Sequence, residues 1–413
     1  MTTKACVLSV LFLFLFNFCY AQSNKVGDSK GKLVVDLDKA KIYPDTAFLA
    51  SSLFKSLKIV PLETNELCLI GRINKIMVFD QYIFVLDNTI ANSLYMFDKE
   101  GRFIRKIGSV GQGPGEYIGI SDFAIDRVNR TIYIIGSRLP RIHKYDLATG
   151  KFIQTIHLDR NDRSKRFMHF VSVGGKLYAE GLFVEHSDKN YLLYSVDESS
   201  GKEKDNFLNV MEYNKGISVL QSHTIFYPFI LRGNGDALFF QSFMNHIIEI
   251  TKDGVFSLIE FKGKNLLTPD ESKRTYEFSN MNNRQNSSRI FEATDKYMRV
   301  VAYIEKGDHI IVDMMKGFQL HRFLINKKTK ETSIFEKCYL DDLLYNDGRG
   351  FFPAFGCNDV NGAYYYVNDS RKTLTFQELA KAGSLSPDII GLEKLAKLDS
   401  EDNPILFYYE FKE

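Results

Sequence analysis

The sequence has 413 residues, 45% hydrophobic and 25% charged, which is ordinary globular usage and enough chain for two or three average domains or one long repeat fold. Its 53 basic and 51 acidic residues leave a formal net charge of +2, so no field of one sign attracts a polyanion and a nucleic-acid partner is excluded on electrostatic grounds. The aromatic share, 14% carried by 34 Phe and 22 Tyr with no Trp, favours strands over helices.

The chain opens with the pattern of an export signal. Lys4 supplies a positive start, residues 5–18 are almost wholly apolar, and Cys19 and Ala21 sit at the usual cleavage positions. Residues 1–21 are read as a signal peptide, which places the mature chain in the periplasm or outside the cell. The apolar run is shorter than the roughly 20 residues a membrane-spanning helix needs, and no later segment is long enough. Acylation at Cys19 is the alternative that would leave the protein membrane-associated, but the bulky Phe18 before it disfavours that route. Residues 22–54 read as an N-terminal extension to a domain covering 55–413.

From there the chain repeats itself. A β-branched and aromatic strand ends in a polar residue, a short turn with Gly usually follows, and a second strand runs away from it. The unit is readable at 94–104, 142–153 and 192–202, and more weakly at 247–256 and 322–332. Its turn residues Asp98, Asp146, Asp197, Thr251 and Asn326 are separated by 48, 51, 54 and 75 residues. A period near 50 matches four short strands with their turns, whereas helical solenoid repeats are usually shorter and carry a 3.6-residue apolar period. Two further strand candidates precede each unit, at 73–86, 123–135, 170–179, 229–241 and 300–314, which makes each repeat an antiparallel meander. The wide last interval predicts an insertion at about 264–296.

A sixth unit begins at Phe351 and includes residues 362–367, then is interrupted at about 370–402 by a segment with helical apolar spacing. The chain returns to a strand at 405–411 and leaves this unit one strand short. Residues 57–62 can supply the missing strand, with Pro61 suited to its end. The expected fold is therefore all-β: a six-bladed β-propeller of four-stranded antiparallel blades, closed by an N-terminal strand in the last blade, with a helical insertion in that blade.

The segments at 59–64 and 69–71, the turn from Phe97 and Asp98 to Gly101, and the heptapeptide 111–117 resemble the six-bladed β-propeller family, related to NHL and TolB-like propellers, that Bacteroides-type bacteria encode in many exported copies. The resemblance is strongest from Ile59 to Asp146. It implies a fold and an exported location, and it carries no catalytic residues across.

Candidate chemistry is sparse. The glycines at 111, 113 and 115 invite a phosphate cradle, but the next element is a strand where a nucleotide loop would open a helix, so a tight inter-blade connection is the expected role. Gln112, Glu116 and Tyr117 of that segment are candidate ligand contacts at the channel mouth. Arg138 and Arg141, flanking Pro140, are candidates for a carboxylate or sugar acid, and His143 on the same strand joins them. The eight His residues show no ligand spacing, and no metal site or cofactor is expected. The recurring Asp98, Asp146 and Asp197 lack the alternating oxygens of a calcium loop and are expected to accept backbone N–H bonds. Cys338 and Cys357 flank a loop and could pair, though three separate thiols, with Cys68, fit better. The chain is expected to be a monomeric, non-catalytic binder of a small molecule, glycan, peptide or protein partner. The alternative is a propeller lactonase or lyase acting on a sugar-derived substrate.

Overall fold

A computed structural model describes residues 26–137, 140–158, 165–183, 190–214, 227–268, 295–335, 339–347, 357–358, 361–368 and 370–412. Cys338, most of the insertion expected at 264–296 and the start of the sixth unit at Phe351 lie outside these residues. Six four-stranded antiparallel sheets follow one another along the chain. Blade 1 runs from Lys75–Phe79 to Phe103–Ile107, blade 2 from Ile120–Asp126 to Phe152–His157, and blade 3 from Lys165–Val173 to Glu203–Asn209. Blade 4 runs from Phe229–Leu231 to Gly254–Lys262 and blade 5 from Met298–Lys306 to Thr332–Phe335. Blade 6 orders Cys357–Asn358, Gly362–Val367, Ile405–Phe411 and Phe54–Pro61.

The inner strands are nearly continuous apolar runs because both of their faces are covered. With a side-chain period of two, Phe84 and Leu86 of blade 1 join Ile132, Ile134 and Tyr145 of blade 2, while Ile83 and Val85 turn the other way onto Leu406 of blade 6. Tyr133 and Ile135 in turn meet Phe170 and Leu177 of blade 3. Each of the six largest buried clusters belongs to one pair of neighbouring blades, so the core is a ring of interfaces.

Closure is by the N-terminal strand. Phe54–Pro61 pairs with Ile405–Phe411 from Phe54 opposite Phe411 to Pro61 opposite Ile405, which puts the proline at the strand end. Asn403 then clasps the segment leading into blade 1: its amide donates to the carbonyls of Glu63 (2.6 Å) and Cys68 (2.8 Å), and its oxygen accepts Ile70 N–H (2.7 Å). Buried Cys68 beside it is a free thiol whose pKa burial pushes up to about 12. The interruption of blade 6 contains the helix Ser370–Lys381 and the short helix Leu392–Lys397.

Upstream of the closing strand, residues 27–49 wrap the rim. Gly27–Asp36 pairs in parallel with the outer strand of blade 4, Lys41–Tyr43 in parallel with that of blade 5, and Phe48–Leu49 with Tyr339–Leu340.

Polar residues tie the inner strands together. Lys75 of blade 1, 8% exposed, donates to Asp122 of blade 2 (2.7 Å), which is fully buried and accepts the N–H of Phe170 in blade 3 (2.8 Å). Glu180 of blade 3 bonds His169 Nδ1 (2.5 Å) and accepts from the amide of Gln241 in blade 4 (2.6 Å). At the opposite ends of the blades, the repeated turn residue caps its own hairpin. Asp98 accepts from the N–H groups of Glu100 and Arg102, Asp197 from those of Ser199 and Ser200, and Asn326 from those of Lys328 and Thr329. The Ser199 and Ser200 hydroxyls also donate to Asp197 and hold its carboxyl down to about 2.

Candidate functional site

The connection from blade 1 to blade 2 is the glycine-rich segment 108–119. It folds back on itself through a short parallel ladder, Ser109–Val110 against Glu116–Tyr117, and is closed by Gly111 N–H donating to the Tyr117 carbonyl (3.1 Å). Gly115 sits at φ 75°, and a Cβ there would lie 2.7 Å from Cβ of Phe152. At Gly111 a Cβ would lie 2.1 Å from the Glu116 carboxylate. Gly115 therefore serves close packing, whereas at Gly111 the Glu116 side chain alone would have to swing away. Glu116 turns its carboxylate into the loop, where Oε2 accepts Gly113 N–H at 2.8 Å and Oε1 accepts the Ser109 hydroxyl at 3.4 Å. Buried Tyr117 donates its hydroxyl to the Ile107 carbonyl (3.3 Å), Tyr145 donates to that of Gly115 (3.0 Å), and burial pushes both phenol pKa values up.

Beneath this loop lies the third strand of blade 2, Arg141–Asp146. Arg141 and His143 are two apart and so share its face toward blade 1. His143 Nδ1 is 3.1 Å from Thr155 Oγ1 on the outer strand, and its ring lies against Phe152. Burial, with the positive charges of Arg141 and His157, holds its pKa below the usual 6.5, so the ring is neutral at pH 7. Arg141 is half-buried and has no carboxylate partner among the described residues.

Gln112, Glu116, Tyr117, Arg141 and His143 line one cavity of about 260 Å³, with backbone at Gly119 and Gly136. It opens on the face where blades are joined to one another, over the third strand of blade 2. Arg138 lies outside the described residues. Thr155, which orients the imidazole, carried no signal in the sequence, because cross-strand pairing is invisible without the register. Lys75, Asp122 and Glu180 are buried charges whose partners lie on other blades, and a charge inside an apolar strand such as 120–126 is their only local signal. Among the described residues no group of three or more His, Cys, Asp or Glu is placed to hold a metal ion.

The cavity makes a pH prediction. His143 Hε1, followed by NMR, titrates below 6.5, and Arg141→Gln moves the midpoint up because one of the nearby positive charges is gone. The folded pKa lies below the unfolded one, so protons bind the unfolded chain first. The stability His143 contributes is thus whole above pH 6.5 and declines as pH falls through that value toward the folded pKa. A midpoint at or above 6.5 contradicts the burial described.

A family model described as a domain of unknown function, DUF4934, matches residues 32–410. No curated protein matches. Among solved structures, a predicted exported protein of Bacteroides fragilis NCTC 9343 is similar at 20% identity and TM-score 0.68, covering 92% of this chain and 100% of its own. A member of the DUF4221 family from Bacteroides vulgatus ATCC 8482 is similar at 11% identity and TM-score 0.52, covering 87% of this chain and 97% of its own. At these identities the likeness is one of fold.

Proposed function

The chain belongs to the DUF4934 family, and on that footing we propose that it is an exported, monomeric binding module that holds a small, hydroxyl-rich anion of the sugar-acid kind in the cavity over blade 2. The observation that carries this reading is the convergence around one small polar space of the Arg141 guanidinium, which has no carboxylate partner among the described residues, a neutral imidazole and an amide. Arg141 offers a planar fork of donors to a carboxylate. Gln112 and His143 offer donor and acceptor positions to hydroxyls. Glu116 aims its carboxylate at the loop amide of Gly113, so the Arg141 guanidinium is the charged group left to meet a ligand carboxylate. A volume of about 260 Å³ lies just below the ~300–1,000 Å³ of pockets for drug-sized ligands, which suits one sugar ring.

Export rests on the pattern at residues 4–21 and on the likeness to a Bacteroides protein described as exported. No helix among the described residues is long and apolar enough to cross a membrane. The wider kinship with NHL and TolB-like propellers rests on the motifs at 59–64 and 111–117.

Calorimetric titration tests the proposal with galacturonate against galactose. Saturable binding of the uronate alone is expected. Arg141→Gln should weaken it ten-fold or more, since a hydrogen bond to a charged group contributes about 1.5–3 kcal/mol. Equal binding of the neutral sugar, or no saturable binding of the uronate, refutes the reading.

A further inference from the structure

The outer strand of each blade turns one row of N–H and C=O groups away from its sheet, and such an edge accepts a further strand unless it is covered or charged. Three of the six edges are covered by the chain itself. Gly27–Asp36 lies in parallel on the outer strand of blade 4 and Lys41–Tyr43 on that of blade 5. Ile390 bridges the outer strand of blade 6, accepting Ile59 N–H (2.9 Å) and donating to the Leu57 carbonyl (2.9 Å). Two more edges are charged: Phe103–Ile107 of blade 1 carries Arg105 and Lys106, and Glu203–Asn209 of blade 3 opens with Glu203, Lys204 and Asp205.

Blade 2 has neither protection. Its outer strand, Phe152–His157, contains no Asp, Glu, Lys, Arg or Pro, and it ends its sheet with no further strand beside it among the described residues. Ile153 is 49% exposed, and Gln154 and His157 are exposed as well. Leu158 N–H donates inward to the Pro140 carbonyl (2.8 Å), so by alternation the N–H groups of Thr155 and His157 point outward. The bulge at Ile153 is no bar, since the outer strand of blade 4 carries one at Leu258 and is still paired on its far side. The two ends of this uncharged strand are basic. Lys151 precedes it, and the Arg105 side chain of blade 1 lies 3.0 Å from where a Cβ on Gly150 would stand. At the other end Lys202 of blade 3 follows Gly201, which packs on the His157 carbonyl. None of these three cations has a carboxylate partner among the described residues.

We propose that this edge takes an extended segment of a partner protein as a parallel fifth strand, with β-branched or apolar residues at the centre of that segment and acidic residues at its flanks. The direction follows from the molecule itself, where the strands added to blades 4 and 5 are both parallel. Main-chain hydrogen bonds supply the affinity, and the alternating side chains supply the selectivity. The acidic flanks meet Lys151 and Arg105 at one end and Lys202 at the other. Docking here requires no ligand in the cavity over blade 2.

Hydrogen exchange followed by NMR on the mature chain tests this with the peptide acetyl-EDVTVTVDE-amide. Saturable binding is expected, with slowed exchange of the Thr155 and His157 amides. The basic peptide acetyl-KKVTVTVKK-amide should bind about ten-fold more weakly, and so should the acidic peptide to the double variant Lys151→Glu with Lys202→Glu. Both lysines are exposed, so that variant should keep the wild-type melting temperature. His157→Pro removes one outward donor at an edge, where proline is tolerated, and should weaken the acidic peptide about ten-fold. Arg141→Gln should leave peptide binding unchanged. Absence of saturable binding, equal binding of the two peptides, or protection that falls outside Phe152–His157 overturns the proposal. So does a concentration-dependent dimer that His157→Pro dissolves, which would assign the edge to a second copy of this chain.

Discussion

Removing residues 26–61 should abolish the cooperative unfolding transition, whereas removing 26–52 should leave a folded propeller with a lower melting temperature. The longer deletion takes out Phe54–Pro61, the outer strand of blade 6, and with it Phe54, Leu57, Ile59 and Val60, all essentially inaccessible. Burying such a side chain contributes roughly 1.5–3 kcal/mol. Four of them approach the whole ~5–15 kcal/mol that separates a folded domain from its unfolded chain. The loss also exposes the edge of Ile405–Phe411, a seven-residue apolar strand, so soluble aggregates are the expected product. The shorter deletion removes only the rim segments and spares the ring of interfaces. Size-exclusion chromatography and thermal melts of the two truncations decide the matter. Equal melting temperatures for the long deletion and the full chain would remove the N-terminal strand from the account of closure.

The second large effect is expected at Asp122. Replacing it by Ala leaves the Lys75 ammonium buried among Phe123, Tyr227 and the inner strands without its counter-charge, and leaves Phe170 N–H without its acceptor. Breaking one side of a buried ion pair costs about 3–5 kcal/mol. A double replacement, Lys75→Met with Asp122→Leu, removes both charges together and should recover most of that loss. Denaturant unfolding of the single and double variants gives the comparison. If the double variant is no more stable than Asp122→Ala alone, the cost lies in packing and the ionic explanation fails.

Much of this architecture was legible in the residues because a blade is a local object. Its hairpins are signalled by Asp98, Asp146 and Asp197 with their following glycines, and its strands by apolar runs that need no distant partner to be recognised. Closure was legible too, since a sixth unit with one strand too few asks for residues 57–62. Parallel pairing of 27–36 and 41–43 with blades 4 and 5 was not. Those segments read as an extension because Val34 and Ile42 face outward at 54% and 57% exposure and blur the alternation a strand normally shows. The cavity over blade 2 was legible at the level of its members, through one loop and one strand start. The blade it faces depends on which side of the third strand Arg141 and His143 take, and that follows from the register with Ile134 and Thr155.

The rim segment has a consequence for how an exported chain would acquire its shape. A polypeptide threaded across a membrane from its amino end delivers residues 27–61 first, yet their partners are Gly254–Lys262, Thr332–Phe335 and, last of all, Ile405–Phe411. These early strands must wait in water until nearly the whole chain has crossed, and loop closure over so long a separation is slow. Assembly therefore ends where translocation ends, and a waiting stretch that includes Phe54, Leu57 and Ile59 is the part of the nascent molecule most in need of a holding chaperone.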